Sequence, residues 1–164
     1  MACDNMIFGK CFEEIWYRPA PGGADQIHTN NRQKGKAKTM YRILLVDDEI
    51  LVRDAIKENI DWKSMDCQLV GDCENGKQAA DFVKSHPVDI VLTDILMPYM
   101  DGMELSHFLH DNYPEIVIVI FSGFGEFEYA KKAIQYNVSE YMLKPVTAME
   151  LREVIGKMKE KVDL

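Results

Sequence analysis

The sequence predicts a doubly wound α/β domain: a five-stranded parallel sheet flanked by five helices. Three observations carry that prediction. Short runs of Val, Ile and Leu lack polar alternation, as expected of strands covered on both faces. Segments with apolar residues at helical spacing separate these runs, and strands alternating with helices form parallel sheets with right-handed crossovers. The chain has 164 residues and is 47% apolar, enough for one domain with a sizeable core.

The elements follow in order from Met40. "YRILLVDDE" is an apolar strand that ends in acids, and "ILVRDAIKENI" carries apolar residues at helical intervals. "CQLVGDC" is a second strand, followed by a helix in "NGKQAADFVKSH" that stops before Pro87. "VDIVLTDILMPYMDG" opens with a buried strand from Val88 to Thr93, interrupted only by Asp89, and places Asp94 at its C-terminal end. A third helix runs from about Gly102 to Asp111, then come the strand "IVIVIFS" and a fourth helix in "EFEYAKKAIQYN". The strand "EYML" and a fifth helix from about Ala148 complete the pattern.

Residues 1–39 differ in kind. They carry four acids and six bases, have no apolar period over "APGGADQIHTNNRQKGKAKT", and are expected to form a disordered extension, with Met40 as the natural start. "KGKAKT" lacks the upstream Gly and the Ser or Thr of a phosphate-binding loop. The whole chain carries a net charge of −8, so residues 40–164 carry −10, which argues against nonspecific nucleic-acid binding by that part. No window approaches the roughly 20 apolar residues that span a bilayer, and no secretion signal opens the chain, so a cytoplasmic location is expected. Cys3, Cys11, Cys67 and Cys73 show no metal-binding spacing, and Cys67 and Cys73 read as small core residues.

Four predicted strand ends carry the chemistry. In an open α/β sheet the crevice beyond the C-terminal ends of the strands is where ligands bind. Asp47, Asp48 and Glu49 follow the first strand, Asp94 the third, Ser122 the fourth and Lys144 the fifth. Adjacent carboxylates repel unless a cation offsets them, and Mg²⁺ suits two carboxylates, a carbonyl and several waters. Lys144 and Ser122 add donors of the kind a transferring phosphoryl group requires, and the ionised Asp94 carboxylate can act as its nucleophile.

"ILLVDDE", "DILMPYMDG", "VIFSG" and "YMLKPV", in this order and spacing, resemble the receiver domain of two-component response regulators over residues 40–162. The resemblance implies a flavodoxin-like, receiver-type fold and a phosphorylation-dependent switch that catalyses only its own phosphorylation and dephosphorylation. It makes Asp94 the phosphoacceptor, charged by a sensor histidine kinase. Asp47, Asp48, Asp94 and the Leu96 backbone carbonyl become the Mg²⁺ ligands. Ser122 and Tyr141 become the switch pair, Lys144 the partner of the phosphoryl group, and Lys144-Pro145 a cis peptide. The fourth helix, fifth strand and fifth helix would form the output surface and a homodimer contact. "NIDW", "CENGKQA" and "SGFGEFEYAKKAIQYNVSEYMLKPV" further resemble receivers joined to AraC-type DNA-binding domains, the YesN-like group. Such proteins continue into a helix-turn-helix domain, and none precedes Leu164.

Leu96 and Phe124 are apolar and cannot orient an attacking water, so slow self-dephosphorylation is expected. Leu96 also stands where a phosphatase with an aspartyl-phosphate intermediate would want a second acid. The remaining alternative is a stand-alone receiver or adaptor acting through protein contacts only.

Overall fold

The computed structural model describes residues 40–123 and 138–164. The expectations for residues 1–39, for the helix predicted over 126–137 and for Phe124 lie outside the described residues.

The elements are β1 (Tyr41–Val46), α1 (Ile50–Asn59), a short 3-10 turn (Lys63–Met65), β2 (Cys67–Cys73), α2 (Gly76–Ser85) and β3 (Ile90–Asp94). They continue with α3 (Gly102–Asn112), β4 (Val117–Ser122), β5 (Glu140–Leu143) and α4 (Ala148–Val162). The last of these, α4, is the fifth helix read from the sequence. The sheet has the order β2-β1-β3-β4-β5, and all its ladders are parallel. The doubly wound parallel sheet is therefore present as expected, with four helices among the described residues.

The strands lack polar alternation because both faces are covered. On one face Ile43 and Leu45 of β1, Ile90 and Leu92 of β3, and Val119 and Phe121 of β4 pack under α1 and α4. On the other, Leu44, Val46, Val91, Ile118 and Ile120 pack under α2 and α3. Each fully buried aliphatic side chain contributes about 1.5–3 kcal/mol relative to exposure, so these layers dominate the stability of the sheet. Helical spacing does the same work on the other side of each interface. Val52 and Ile56 line one side of α1, with Ile60 just past its end, and Leu151, Val154, Ile155 and Met158 line α4. Cys67 and Cys73 are buried core residues, as their apolar surroundings predict.

Helix starts are set by local hydrogen bonds. Asn75 caps α2 by accepting from the Gln78 amide, while Asp101 with Glu104 and Thr147 with Glu150 form reciprocal capping boxes on α3 and α4. Helix α1 is the exception: Glu49 occupies its cap position without a side-chain hydrogen bond. The β3–α3 connection is tight. Gly102 donates to the Ile95 carbonyl at 2.8 Å, and a Cβ at Gly102 would lie 2.0 Å from the Asp94 carbonyl oxygen. Only glycine lets α3 begin this close to the end of β3. Among the described residues no helix is long and apolar enough to cross a membrane.

Candidate functional site at the carboxyl ends of the strands

The parallel ladders bring the ends of β1, β3, β4 and β5 to one edge, and the polar residues singled out from the sequence meet there. Asp47 prolongs β1, its amide donating to the Cys73 carbonyl at 3.1 Å, and its side chain is wholly buried. Asp48, next along, is exposed. Asp94 is the last residue of β3, pairs with Phe121 in the ladder and is 7% exposed. The sequence had suggested Thr93 as the last strand residue; the ladder extends one further and starts at Ile90 rather than Val88. Asp89 explains the late start, because Arg42 grips its carboxylate from β1 through Nε and Nη2, at 2.9 and 2.8 Å.

Carboxylate oxygens of Asp47, Asp48 and Asp94 lie within 4.8 Å of one another, a spacing at which all three can reach a common cation. Lys144 follows β5, and its amide donates to the Ser122 carbonyl at 2.6 Å, which fixes the approach of its side chain. Its Nζ sits 2.9 Å from Asp47 Oδ2 and 3.1 Å from Asp94 Oδ2. Asp94 Oδ1 accepts from the Ile95 amide at 2.8 Å. The Lys144-Pro145 peptide is cis.

These contacts set the electrostatics. Burial pushes the Asp94 carboxyl up to about 6; the charge of Asp47 adds to the rise, while Lys144 and the Ile95 amide oppose it. Burial works against the Lys144 ammonium, but Asp47 and Asp94 outweigh it and leave its pKa above the ordinary value. The pocket thus holds three carboxylates close to one ammonium, a donor set of hard oxygens that fits a divalent cation such as Mg²⁺.

Ser122 is fully buried at the end of β4, and its hydroxyl is hydrogen-bonded to the hydroxyl of the half-buried Tyr141 on β5. Leu96 is about half exposed beside the pocket.

Residues 43–156 match the response regulator receiver domain family. The chain belongs to that family. Receivers are signalling domains that work as phosphorylation-controlled switches rather than as conventional enzymes. This receiver is 40% identical over 124 residues to the transcriptional regulatory protein YesN of Bacillus subtilis, a match covering 73% of this chain and 34% of YesN. It is 29% identical over 119 residues to the transcriptional regulatory protein HptR of Staphylococcus aureus, covering 73% of this chain and 46% of HptR. The chain therefore spans less than half the length of these curated relatives. Among solved structures, the receiver domain of AraT, a response regulator from Geobacillus stearothermophilus, superposes with a TM-score of 0.71 at 36% identity, covering 76% of this chain and 96% of that one. A two-component transcriptional regulator, AraC from Clostridium phytofermentans, gives 0.69 at 34% identity, covering 74% and 95%.

Three residues at this edge of the receiver were not singled out from the sequence as parts of the site. Gly102 sets the β3–α3 approach described above. Thr93 Oγ1 donates to the Asp94 carbonyl at 2.9 Å, and Arg53 Nη1 donates to the Asp47 carbonyl at 2.5 Å. Arg53 had a legible signal: with Ile56 and Ile60 it follows the i, i+3, i+7 spacing of a buried helical stripe, where a base is out of place.

Proposed function

We propose that this receiver accepts a phosphoryl group on Asp94 from the phosphohistidine of a sensor histidine kinase. The observation that carries the reading is the placement of Lys144 Nζ between Asp47 Oδ2 and Asp94 Oδ2, at 2.9 and 3.1 Å. An Asp94 carboxylate oxygen attacks phosphorus, an O–P bond forms as the P–N bond breaks, and the imidazole leaves with the electron pair. With a pKa of about 6, Asp94 is mostly ionised at pH 7 and needs no general base. Asp47, Asp48, Asp94 and the Leu96 carbonyl would hold Mg²⁺, which would supply neutralisation of charge on the phosphoryl oxygens. Lys144 then turns from the two aspartates to the incoming phosphoryl group.

Ser122 and Tyr141 read the new charge. Their hydroxyl contact supports this role, because a phosphoryl oxygen that draws in Ser122 also acts on Tyr141. The surface of the helix predicted over 126–137, β5 and α4 changes its contacts and forms a homodimer. The output is control of an AraC-type DNA-binding domain in a longer protein, supported by curated relatives named as transcriptional regulators, of which less than half is matched, and by the similar solved chain described as a two-component transcriptional regulator AraC. With apolar Leu96 beside the site, and Phe124 two residues after Ser122, the aspartyl phosphate hydrolyses over minutes to hours.

Intact mass after incubation with Mg²⁺ and acetyl phosphate tests the first step. The wild-type chain gains one phosphoryl group and Asp94→Asn gains none. Equal labelling of both, or none in a wild type that binds Mg²⁺, defeats the assignment.

A further inference from the structure

Among the described residues, Arg53 is the only base that is buried, with 5% of its surface exposed. Its guanidinium is spread over the ends of two strands. Nη1 donates to the Asp47 carbonyl, Nε donates to Asp72 Oδ2 at 3.0 Å, and Nη2 lies 3.8 Å from Glu74 Oε1. Asp72 sits near the end of β2, paired with Leu45, and also receives Lys57 at 3.4 Å. Arg53 therefore ties the turn after β1 to the edge strand beside it.

Among the described residues that turn is joined to α1 otherwise by main-chain bonds, the Val52 and Arg53 amides donating to the Glu49 carbonyl at 3.0 and 3.1 Å. The cap position of the helix, Glu49, makes no side-chain hydrogen bond. Asp47 by contrast has a partner at every polar atom: its amide donates to Cys73, its carbonyl accepts from Arg53, Oδ1 accepts from the Glu49 amide and Oδ2 from Lys144. The bond to the carbonyl fixes the plane of the Asp47–Asp48 peptide. The direction in which Asp48 leaves the backbone follows from that plane, and so does the angle between the two carboxylates.

We propose that Arg53 is a positioning residue for the divalent cation: by clamping the Asp47 carbonyl against Asp72 it sets the geometry with which Asp47 and Asp48 face the metal. This rests on the reading of the acidic cluster as the Mg²⁺ site. The clamp depends on the fork of the guanidinium, since a single ammonium cannot meet a carbonyl and a carboxylate with the same planar geometry. The charge of Arg53 is already matched by Asp72, and in its absence Lys57 still faces that carboxylate.

The test is Mg²⁺ titration by calorimetry on the wild type, Arg53→Met, Arg53→Lys and Asp72→Asn, followed by acetyl phosphate labelling at increasing Mg²⁺. Both Arg53 variants are expected to bind Mg²⁺ about tenfold more weakly, as when a group supporting metal ligands is removed. Asp72→Asn is expected to show a smaller loss in the same direction. The Mg²⁺ concentration for half-maximal labelling rises in step, while the labelling rate at saturating Mg²⁺ stays at the wild-type level. A merely structural role would lower that ceiling and leave the half-saturation point in place, which overturns the proposal. So does Mg²⁺ affinity within about twofold of wild type, or tighter binding, which would mean that the metal feels the charge of Arg53 and not its clamp. If the Arg53 variants do not fold, unchanged affinity in Asp72→Asn overturns it. Wild type that binds Mg²⁺ but takes no phosphoryl group defeats the phosphoacceptor reading and leaves this one standing.

Discussion

The two edges of the sheet use their acids in opposite ways. At the amino-terminal edge the described carboxylates are matched to donors that hold the chain: Arg42 grips Asp89 through a fork, Lys159 meets Asp66 at 3.2 Å, and the Tyr41 hydroxyl donates to Asp163. At the carboxyl-terminal edge Asp47, Asp48 and Asp94 cluster together, and one ammonium, that of Lys144, meets Asp47 and Asp94. The first arrangement ties α4 and β3 to β1. The second leaves negative charge in excess, which costs stability and which a bound cation could offset. Removing a carboxylate should therefore have opposite signs at the two edges.

The largest effect is expected from Asp89→Ala. It strips the partner from a part-buried guanidinium and from the Arg42 amide, which donates to Asp89 Oδ2 at 2.7 Å. Chemical denaturation should show a loss of about 3 kcal/mol, with acetyl phosphate labelling of the folded fraction unchanged.

Asp94→Asn should do the reverse in metal-free buffer. The folded pKa of about 6 stands above the ordinary carboxyl value, so the native state binds the extra proton between the two. The contribution of Asp94 to stability is present in full below the unfolded pKa and is lost as pH rises through about 6. At pH 7 the ionised side chain costs on the order of 2 kcal/mol, so the amide should raise the denaturation midpoint there and the two curves should converge towards pH 4. Added Mg²⁺ should stabilise the wild type more than the variant. A variant less stable at pH 7 without metal would remove the contrast between the edges.

The smallest effect belongs to Tyr41→Phe. The phenol is pushed up to about 12, first by burial and then by its hydrogen bond to Asp163. Losing that bond at the end of α4 should cost about 1 kcal/mol in the same denaturation assay. It should leave Mg²⁺ binding untouched.

Much of this was legible in the sequence for physical reasons. β1, β3 and β4 are covered on both faces, so their apolar runs stand out, and α2 ends where Pro87 forbids continuation. That Asp47, Asp94, Ser122 and Lys144 would meet at one edge was legible because they stand at or directly after strand ends. What escaped was set by contacts distant in the chain. Asp89 looked like a break in a strand until Arg42, 47 positions earlier, was placed beside it. The short turn at Lys63–Met65 carries no apolar period, and its closure by Asp66 in a left-handed conformation is a backbone property. Arg53 was passed over although its spacing marks it as buried, and its acceptors, a main-chain carbonyl and an acid on another strand, become neighbours only through folding.

The hydroxyl pair of Ser122 and Tyr141 has a consequence in the counting of hydrogens. Each hydroxyl carries one, so in their contact a single hydrogen lies between two oxygens and points one way. If Ser122 gives its hydrogen to a phosphoryl oxygen, it can only accept from Tyr141, and the tyrosine becomes the donor. The phenol is then retained beneath β4 by a bond of fixed polarity. On the proposed reading, phosphorylation at one strand end would be recorded at another as the orientation of one O–H bond, with no need for the backbone of β5 to move.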